Sequence, residues 1–327
     1  MDSVRWGLLS TAHINRLVIP AIRESRRGEL VAVASRDAGR AKQYSAEWDI
    51  PQSFGGYQEM LDSGEIDVVY IGLPNHLHAE WSIKALQAGV HVLCEKPFTL
   101  SVEDVDRMAA ASLESGCVLA EAFMYRHHPQ TKLLGEWVKS GRLGEVWMVR
   151  SVFTFTLKDK DNIRLAPEWG GGSLWDIGVY PLSLAQYLYG GPPRWVAATQ
   201  KIGQSGVDLD FSGQMVYSGE RVAQIACSFR SPYHTGAEIL GTQGRLELNR
   251  PFNNLEEAHM IYYPERGEPQ EVSFPQKDLY LGEVQDMHAA ILDGVPPYIS
   301  LAESRAHVQT VQALYQSAEQ GQIVALD

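Results

Sequence analysis

The sequence predicts an α/β protein with two domains: an N-terminal Rossmann fold with a doubly wound parallel sheet, then an α/β domain with a large open, mainly antiparallel sheet. Three observations support this. Apolar runs alternate with helical segments as far as about residue 120, longer strand-like segments joined by short turns follow, and 327 residues exceed one ordinary core. We place the domains at residues 1–122 and 123–327.

In the first domain, short apolar runs predict parallel strands joined by right-handed βαβ connections. Ser101 and Asp104 resemble a capping box at the start of one of the helices. The expected strands cover 4–9, 30–35, 68–73, 90–94 and 118–121, and the expected helices include one ending at Arg23, 38–48, 77–88 and one ending at Ser115.

In the second domain, residues 145–157 read as one long strand with Val149, Ser151 and Phe153 on the same face. Further strands are expected over 194–202, 213–217, 221–229, 237–240 and 245–248, with helices over 130–140, 179–189 and near Val284 and Val308. Such a sheet can offer one broad face to a second subunit. We therefore expect a homodimer or a higher homo-oligomer formed through this sheet.

Composition excludes several classes of protein. A formal net charge of -12 argues against nucleic-acid binding, and no run approaches the roughly 20 apolar residues of a membrane span. Cys94, Cys117 and Cys227 form no CxxC pair, and a strand begins almost at the N-terminus, which leaves no room for a signal peptide. We expect a cytoplasmic protein with reduced thiols.

The turn after the first strand carries Ser10, Ala12 and Asn15 where a dinucleotide-binding loop usually has glycine. Small side chains at 10 and 12 still allow the backbone to approach a pyrophosphate at the helix N-terminus. An ordinary strand-to-helix turn is the alternative for this loop alone. The predicted cofactor contacts here are Ser10, Thr11, Ala12, His13 and Ile14.

The second strand ends at Ser35 and Arg36, where enzymes specific for NAD usually carry an acidic residue. A small hydroxyl followed by arginine suits the 2′-phosphate of NADP, because a guanidinium gives it a charge-assisted contact. Asp37 directly after them weakens the argument, and Arg36 as a solvated loop residue is the alternative. We expect NADP in preference to NAD.

The loop after the third long strand adds four predicted cofactor contacts. We expect Asn75 to cap the next helix while the loop passes the ribose and nicotinamide; the predicted contacts are Leu73, Pro74, Asn75 and His78. His76 and His78 have no carboxylate or cysteine beside them, so we expect no metal.

Glu95 and Lys96, followed by Pro97, end the next strand, where open α/β sheets bind ligands. An ammonium there can reach a substrate oxygen or lower the pKa of a phenol. Farther along, three glycines precede Asp176 and Tyr180, which share one face if their segment is helical, and these glycines would let backbone approach a ligand. Taken singly, a core tyrosine, a surface lysine and a helix-capping aspartate are the alternatives.

Together, Glu95-Lys96-Pro97 and the stretch from Gly170 to Tyr180 make the chain resemble the Gfo/Idh/MocA oxidoreductase family. Within it, the sequence is similar to the branch of dimeric dihydrodiol dehydrogenases and NADP-dependent D-xylose dehydrogenases. The resemblance extends from Trp6 to Gly244 and includes the motif that starts at Glu121. It implies Lys96 and Tyr180 as the catalytic pair, Asp176 as a supporting residue, and Glu95 and Lys96 as cofactor contacts.

The resemblance implies hydride transfer between nicotinamide and a sugar or polyol carbon, with Tyr180 as the acid/base. Substrate contacts are expected from Arg126, His128, Arg164, Trp169 and Asp176. For Arg126 and His128 the alternative is a solvated helix entry, and for Trp169 it is packing. Two other functions stay open: an NAD-dependent glycosidase, and a nucleotide-sensing regulator without catalysis.

Overall fold

The computed structural model describes residues 3–253, 257–275 and 278–326, and shows the α/β fold that the sequence predicts. Two compact units form. The first joins Met1–Met124 with Tyr280–Arg305, and the second joins Tyr125–Leu279 with Ala306–Asp327. The domain limits at residues 122 and 123 stay a prediction. In the structure, the later segment Tyr280–Arg305 also belongs to the first unit.

The first unit is built on a six-stranded parallel sheet in the order β3-β2-β1-β4-β5-β6. Its strands are β1 (Val4–Leu9), β2 (Gly28–Ala34), β3 (Gln52–Phe54), β4 (Val68–Ile71), β5 (His91–Glu95) and β6 (Leu119–Ala122). Its helices are α1 (Asn15–Glu24), α2 (Ala38–Glu47), α3 (Tyr57–Leu61), α4 (His78–Gln87), α5 (Val102–Ser115) and α8 (Leu281–Asp293). The order reverses between β1 and β4, which is where doubly wound sheets bind ligands.

Local sequence signals explain several element ends. The side chain of Ser101 accepts a hydrogen bond from the amide of Asp104 at 3.2 Å, which confirms the predicted cap of α5. Helix α5 stops at Gly116, whose φ of 70° is left-handed and favours glycine. The apolar strands β1 and β4 are buried on both faces, as expected for a parallel sheet covered by helices.

The second unit contains a nine-stranded sheet in the order β14-β13-β12-β11-β7-β10-β9-β8-β15, where only the β7–β10 pair is parallel among the described strands. Its strands are β7 (Val146–Thr154), β8 (Trp195–Ile202), β9 (Asp208–Val216), β10 (Val222–Ser228), β11 (His234–Gly241), β12 (Gly244–Asn249), β13 (Ala258–Pro264), β14 (Gln270–Phe274) and β15 (Val324–Ala325). Helices α6 (Pro129–Lys139) and α7 (Val179–Tyr189) belong to this unit, and α9 (Leu301–Gln320) begins in the first unit and continues here.

Strand β7 follows the predicted alternation but is shorter than expected. Val149, Ser151 and Phe153 are buried, while Arg150 between them is exposed. The strand ends at Thr154 instead of residue 157, although the amides of Phe155 and Leu157 still donate to backbone carbonyls of the second unit. Helix α7 is buried nearly all round, which is typical of a helix at the centre of a domain.

None of the helices in the described part of the chain is long and apolar enough to span a membrane. The three cysteines are buried and unpaired thiols.

One buried histidine of the first unit should make stability depend on pH. His288 accepts a hydrogen bond from Trp6 Nε1 at 2.8 Å, and burial lowers its pKa to about 4 from 6.5. Between pH 6.5 and 4, His288 is therefore protonated in the unfolded chain and still neutral in the folded chain, so stability is lost as pH falls through this window. Allowing for solvent screening, we expect the free energy of unfolding to fall by on the order of 1–2 kcal/mol across this window, and by less in His288→Gln. Denaturant titration at a series of pH values would measure both. Equal pH slopes for wild type and variant would contradict this.

Candidate functional site

In the first unit, Ser10 adopts a conformation that normally needs glycine. Its φ is 121°, so the residue occupies a region that side chains disfavour. Its hydroxyl donates to the carbonyl of Gly72 at 2.9 Å and accepts from the amide of Ala12 at 3.2 Å, while Asn15 donates its side-chain amide to the Ser10 carbonyl at 2.8 Å. These bonds hold the turn in shape without the usual glycines and tie the loops after β1 and β4 together.

This arrangement fits a bound dinucleotide. Helix α1 begins beside the switch point of the sheet and has no acidic residue in its first turn, so its N-terminus can receive a pyrophosphate. Ser10 lies at this turn, with the rest of the predicted contact segment, residues 11–14, directly after it. Individual contacts to a cofactor stay predictions.

At the end of β2, Asp37 has a structural role within the chain. Its carboxylate caps α2 by accepting from the amide of Arg40 at 2.8 Å, and its own amide donates to the buried Ser35 hydroxyl at 3.3 Å. Arg36 is exposed, and its guanidinium charge partly offsets the burial that raises the pKa of Tyr57. The charge of Arg40 also acts on Tyr57, so two guanidiniums lie near this phenol. Sequence reasoning missed Arg40, although its place in the first turn of α2 was a signal.

The loop after β4 differs from expectation at Asn75. This residue is the first of a short 3-10 helix, Asn75–Leu77, and the position before that helix is Pro74, so the prediction of a side-chain cap by Asn75 was wrong. The physical reason is that Pro74, with its fixed φ of -57°, already starts the turn. Leu73 is buried, and His78 is completely buried with both ring nitrogens close to backbone carbonyls.

Lys96 follows β5 on a loop with several anchors. Glu95 accepts from the Tyr70 hydroxyl and, at 3.2 Å, from the amide of Lys96 itself. Burial raises the pKa of Glu95, and the Lys96 ammonium acts in the opposite direction. Two residues on, the amide of Phe98 donates to the buried carboxylate of Glu121 at 3.1 Å. The lysine backbone is therefore fixed before and after the residue.

In the second unit, the segment that carries Asp176 and Tyr180 is a π-helical turn, Leu174–Gly178, that continues into α7. Pro181 explains the wide turn, because in a regular α-helix its ring would press against the carbonyl of Ile177. Such turns are frequent at functional sites. Asp176 and Tyr180 are four positions apart across the junction, so both remain on about the same side of the helix.

Three glycines at or before this segment lie where a side chain would collide with the rest of the chain, and the approach of a ligand to their backbone stays a prediction. A side chain on Gly171 would meet the carbonyl oxygen of Arg164 at 2.6 Å. One on Gly172, whose φ is 125°, would meet Asp208 Oδ1 at 2.2 Å, and one on Gly178 would meet Leu174 at 2.7 Å. The chain's own atoms occupy the space that these glycines leave.

Asp208 anchors the π-helical turn and was missed by sequence reasoning, since nothing near it in the chain marks it. It is buried and accepts from Ser173 Oγ at 2.6 Å, from the amide of Leu174 at 2.9 Å and from the hydroxyl of Tyr315 at 2.6 Å. Burial raises the pKa of this carboxyl, and its three donors oppose the rise. The start of the turn is thereby fixed to β9 and α9.

Tyr180 is only 5% exposed and lies in an aromatic cluster of the second unit. Ring centroids of Tyr125, Phe153 and Phe252 are 5.7, 5.4 and 5.7 Å from that of Tyr180. Asp176 forms an ion pair with Arg164, with Nε and Oδ2 2.5 Å apart. The structure thus brings two predicted substrate contacts, Arg164 and Asp176, together.

The remaining predicted substrate residues are placed differently. Trp169 is 40% exposed on a short 3-10 helix, Pro167–Trp169. Arg126 is buried with its guanidinium 3.9 Å from the ring centroid of Tyr187, and His128 is buried and caps α6 by accepting from the amide of Gln130. A solvated helix entry is thereby excluded, and substrate binding by these residues stays a prediction.

Across the described residues, no group of three histidine, cysteine, aspartate or glutamate side chains is arranged to hold a metal ion.

Comparison with known proteins agrees with this architecture. Residues 4–123 match the model of an oxidoreductase family with an NAD-binding Rossmann fold, and residues 131–247 match the GFO/IDH/MocA C-terminal domain. The chain is 39% identical to D-xylose 1-dehydrogenase (NADP(+)) 2 of Haloferax volcanii over 98% of this chain and 99% of that protein. It is 31% identical to trans-1,2-dihydrobenzene-1,2-diol dehydrogenase of Bos taurus over 76% of this chain and 75% of that one.

Solved structures extend the similarity to three dimensions. An aldose-aldose oxidoreductase from Caulobacter crescentus, complexed with glycerol, superposes with a TM-score of 0.92 at 26% identity, over 99% of this chain and 100% of that chain. KijD10, a 3-ketoreductase from Actinomadura kijaniata in complex with NADP and TDP-benzene, superposes with a TM-score of 0.90 at 29% identity. The match covers 97% of this chain and 98% of that chain. The chain therefore belongs to the Gfo/Idh/MocA family of NAD(P)-dependent, sugar-related oxidoreductases.

Proposed function

We propose that this protein transfers a hydride between NADP and a carbon of an aldose or related polyol, with Tyr180 as the acid/base and Lys96 as its partner. The observation that carries the proposal is Lys96 at the carboxyl edge of the Rossmann sheet, on a loop anchored by Glu95 and Glu121. A D-xylose 1-dehydrogenase and an aldose-aldose oxidoreductase among its relatives support sugar as the substrate class.

In the proposed reaction, NADP supplies the hydride acceptor when bound. Tyr180 removes the proton of the substrate hydroxyl, and in reduction it returns that proton. Lys96 binds the same oxygen, and its positive charge favours the phenolate form of Tyr180. Lowering the pKa of a tyrosine from about 10 to about 7 requires roughly 4 kcal/mol of stabilisation. Asp176, oriented by Arg164, accepts from another substrate hydroxyl, and Trp169 offers an exposed ring to a sugar face.

The test is NADPH formation with a panel of aldoses and polyols, measured with NADP and with NAD. Turnover with NADP would support the proposal and identify the substrate. Sugar release from a glycoside without net NADPH would favour the glycosidase, and tight NADP binding without any turnover on the panel or on glycosides would favour the regulator.

Cofactor preference should depend on Arg36. Arg36→Ala removes a charge-assisted contact of about 1.5–3 kcal/mol, so we expect the KM for NADP to rise roughly 10- to 100-fold while the KM for NAD changes little. Arg107→Ala is the matched control, because its guanidinium is exposed and paired with Asp104 on α5. An equal rise for both cofactors would show that Arg36 does not read the 2′-phosphate.

We also propose that a second copy of this chain covers the outer face of the nine-stranded sheet. That face forms a shallow concave region of about 800 Å³ whose lining includes uncharged side chains such as Ser212, Gln224 and Ala226. Its charges are paired within the chain, as in Arg150 with Glu238 at 3.2 Å, so two copies can meet without repulsion.

Sedimentation should therefore find a dimer, and Ala226→Glu should yield a folded monomer because it places an unpaired charge inside the interface. Leu113→Glu, at an 85% exposed position of the first unit, should leave the dimer intact. A wild-type monomer at micromolar concentration would contradict the proposed interface.

A further inference from the structure

Gln130 ends the motif that starts at Glu121, and the proposed function gives it no role. Its side chain is completely buried, and its Nε2 donates to two backbone carbonyls, that of Asn249 at 3.2 Å and that of His259 at 3.0 Å. Turning the amide over would place an oxygen against both carbonyl oxygens, so these two bonds fix the orientation of the side chain. Gln130 therefore joins the start of α6 to the end of β12 and the start of β13.

The chain continues from Asn249 in a conformation that its own backbone does not favour. Arg250 has a φ of 48°, in the left-handed region that residues with a side chain disfavour, and its amide donates to the carbonyl of Thr235 at 3.3 Å. Pro251 follows, with a φ that its ring restricts. Such a turn persists only where neighbouring contacts impose it, and Gln130 binds the carbonyl directly before Arg250.

This turn delivers Phe252 to the proposed acid/base. Phe252 is completely buried, and its ring centroid lies 5.7 Å from that of Tyr180 and 5.3 Å from that of Tyr125. It also stacks on Phe153, at a centroid distance of 5.9 Å and an interplanar angle of 12°. The ring of Tyr180 thus packs against a residue whose position is set by the turn that begins at Asn249.

We propose that Gln130 is a positioning residue for Tyr180: by holding the ends of β12 and β13, it keeps Phe252 against the Tyr180 ring. All of these residues belong to the second unit. The catalytic consequence rests on the proposed function, whereas the effect on the packing of Tyr180 does not. Gln130 itself touches neither substrate nor reacting atoms in this account.

The direct test is fluorine-19 NMR of the full chain labelled with 3-fluorotyrosine, with the Tyr180 signal assigned by its absence in Tyr180→Phe. Gln130→Met keeps the approximate length of the side chain but cannot donate, so we expect the Tyr180 signal to shift. A signal at its wild-type position in Gln130→Met would overturn the proposal. The measurement needs no turnover, so its result is separate from that of the proposed function.

Tyr262→Phe is the matched control. The buried Tyr262 hydroxyl donates to the carbonyl of Arg142 at 3.1 Å, which joins β13 to the segment after α6, at the other end of that helix. Its loss should leave the Tyr180 signal in place. A shift as large as that in Gln130→Met would show that any loosening of β13 moves Tyr180, and would overturn a specific role for Gln130.

Asn249→Ala gives a second, milder test should Gln130→Met fail to fold. The Asn249 side chain is the acceptor for the His259 amide, so it also holds the two strand ends together. Because Asn249 is exposed, its truncation leaves no cavity in the core. We expect the Tyr180 signal to shift in this variant too, and an unmoved signal would overturn the proposal.

Kinetics with the sugar found in the substrate panel tests the catalytic consequence. Gln130→Met should lower kcat about 10-fold, because small displacements of a reacting group are costly. The KM for NADP should not change, since the predicted cofactor contacts lie in the first unit. Phe252→Leu removes the ring through which the effect passes, so adding Gln130→Met to it should lower kcat no further.

Additive losses of kcat in the double variant would overturn the positioning role. If Tyr180→Phe keeps full turnover, the proposed function fails instead, while the fluorine signals still decide whether Gln130 sets the packing of Tyr180.

Discussion

Tyr180→Phe should lower kcat by about 10²- to 10⁴-fold, the usual contribution of a general acid/base, with little change in stability. The phenylalanine ring keeps the contacts with Tyr125, Phe153 and Phe252, so only the hydroxyl is lost. Single-turnover kinetics with the sugar found in the substrate panel would measure the chemical step directly.

Tyr189→Phe is the matched control for this prediction. It lies on the same helix α7 and loses a hydroxyl that donates to the carbonyl of Val222 at 2.9 Å, which is a structural bond. We expect its kcat to stay near that of wild type. A Tyr180→Phe enzyme as active as this control would transfer the acid/base role to Lys96.

Asp208→Asn should destabilise the protein and also impair turnover, although Asp208 is not predicted to touch substrate. An amide cannot accept from all three donors, and each buried donor without a partner costs about 1–3 kcal/mol, so we expect a loss of about 3 kcal/mol. Because Ser173 and Leu174 start the π-helical turn, its displacement should move Asp176 and Tyr180. Denaturant titration and kcat measured well below the unfolding transition would separate the two effects.

Asp210→Asn provides the comparison on the same strand. Asp210 pairs with Arg230 at 2.7 Å near the surface, where such pairs contribute less than about 1 kcal/mol. A loss of stability no larger in Asp208→Asn than in Asp210→Asn would show that the buried network does not anchor the turn.

The sequence alone was sufficient to predict the strands and helices that have a strong apolar pattern. Strand β1 and helix α7 have the predicted bounds, because mainly apolar segments end at clear polar or glycine positions. Strands β13 and β14 were not predicted, since residues such as His259 and Glu271 interrupt their apolar pattern. Propensity alone cannot identify a strand whose support is its neighbours in the sheet.

Side-chain partners were the least predictable part of the candidate site. The cap formed by Asp37 could have been inferred from its place before α2, and it strengthens the case for Arg36. The contacts of Asp208 and His78 could not be inferred from the sequence, because their partners lie far away in sequence or are backbone carbonyls. The π-helical turn likewise depends on packing around Gly178 together with Pro181.

The most direct test of the central claim is transfer of deuterium from substrate to cofactor. The protein would be incubated with NADP and an aldose deuterated at the carbon that loses its hydride, and the NADPH formed would be analysed by mass spectrometry. Deuterium in the NADPH from the wild type, with formation reduced at least about 10²-fold in Tyr180→Phe, is the predicted result. Sugar conversion that leaves NADP unlabelled and unreduced would contradict hydride transfer as the function of this protein.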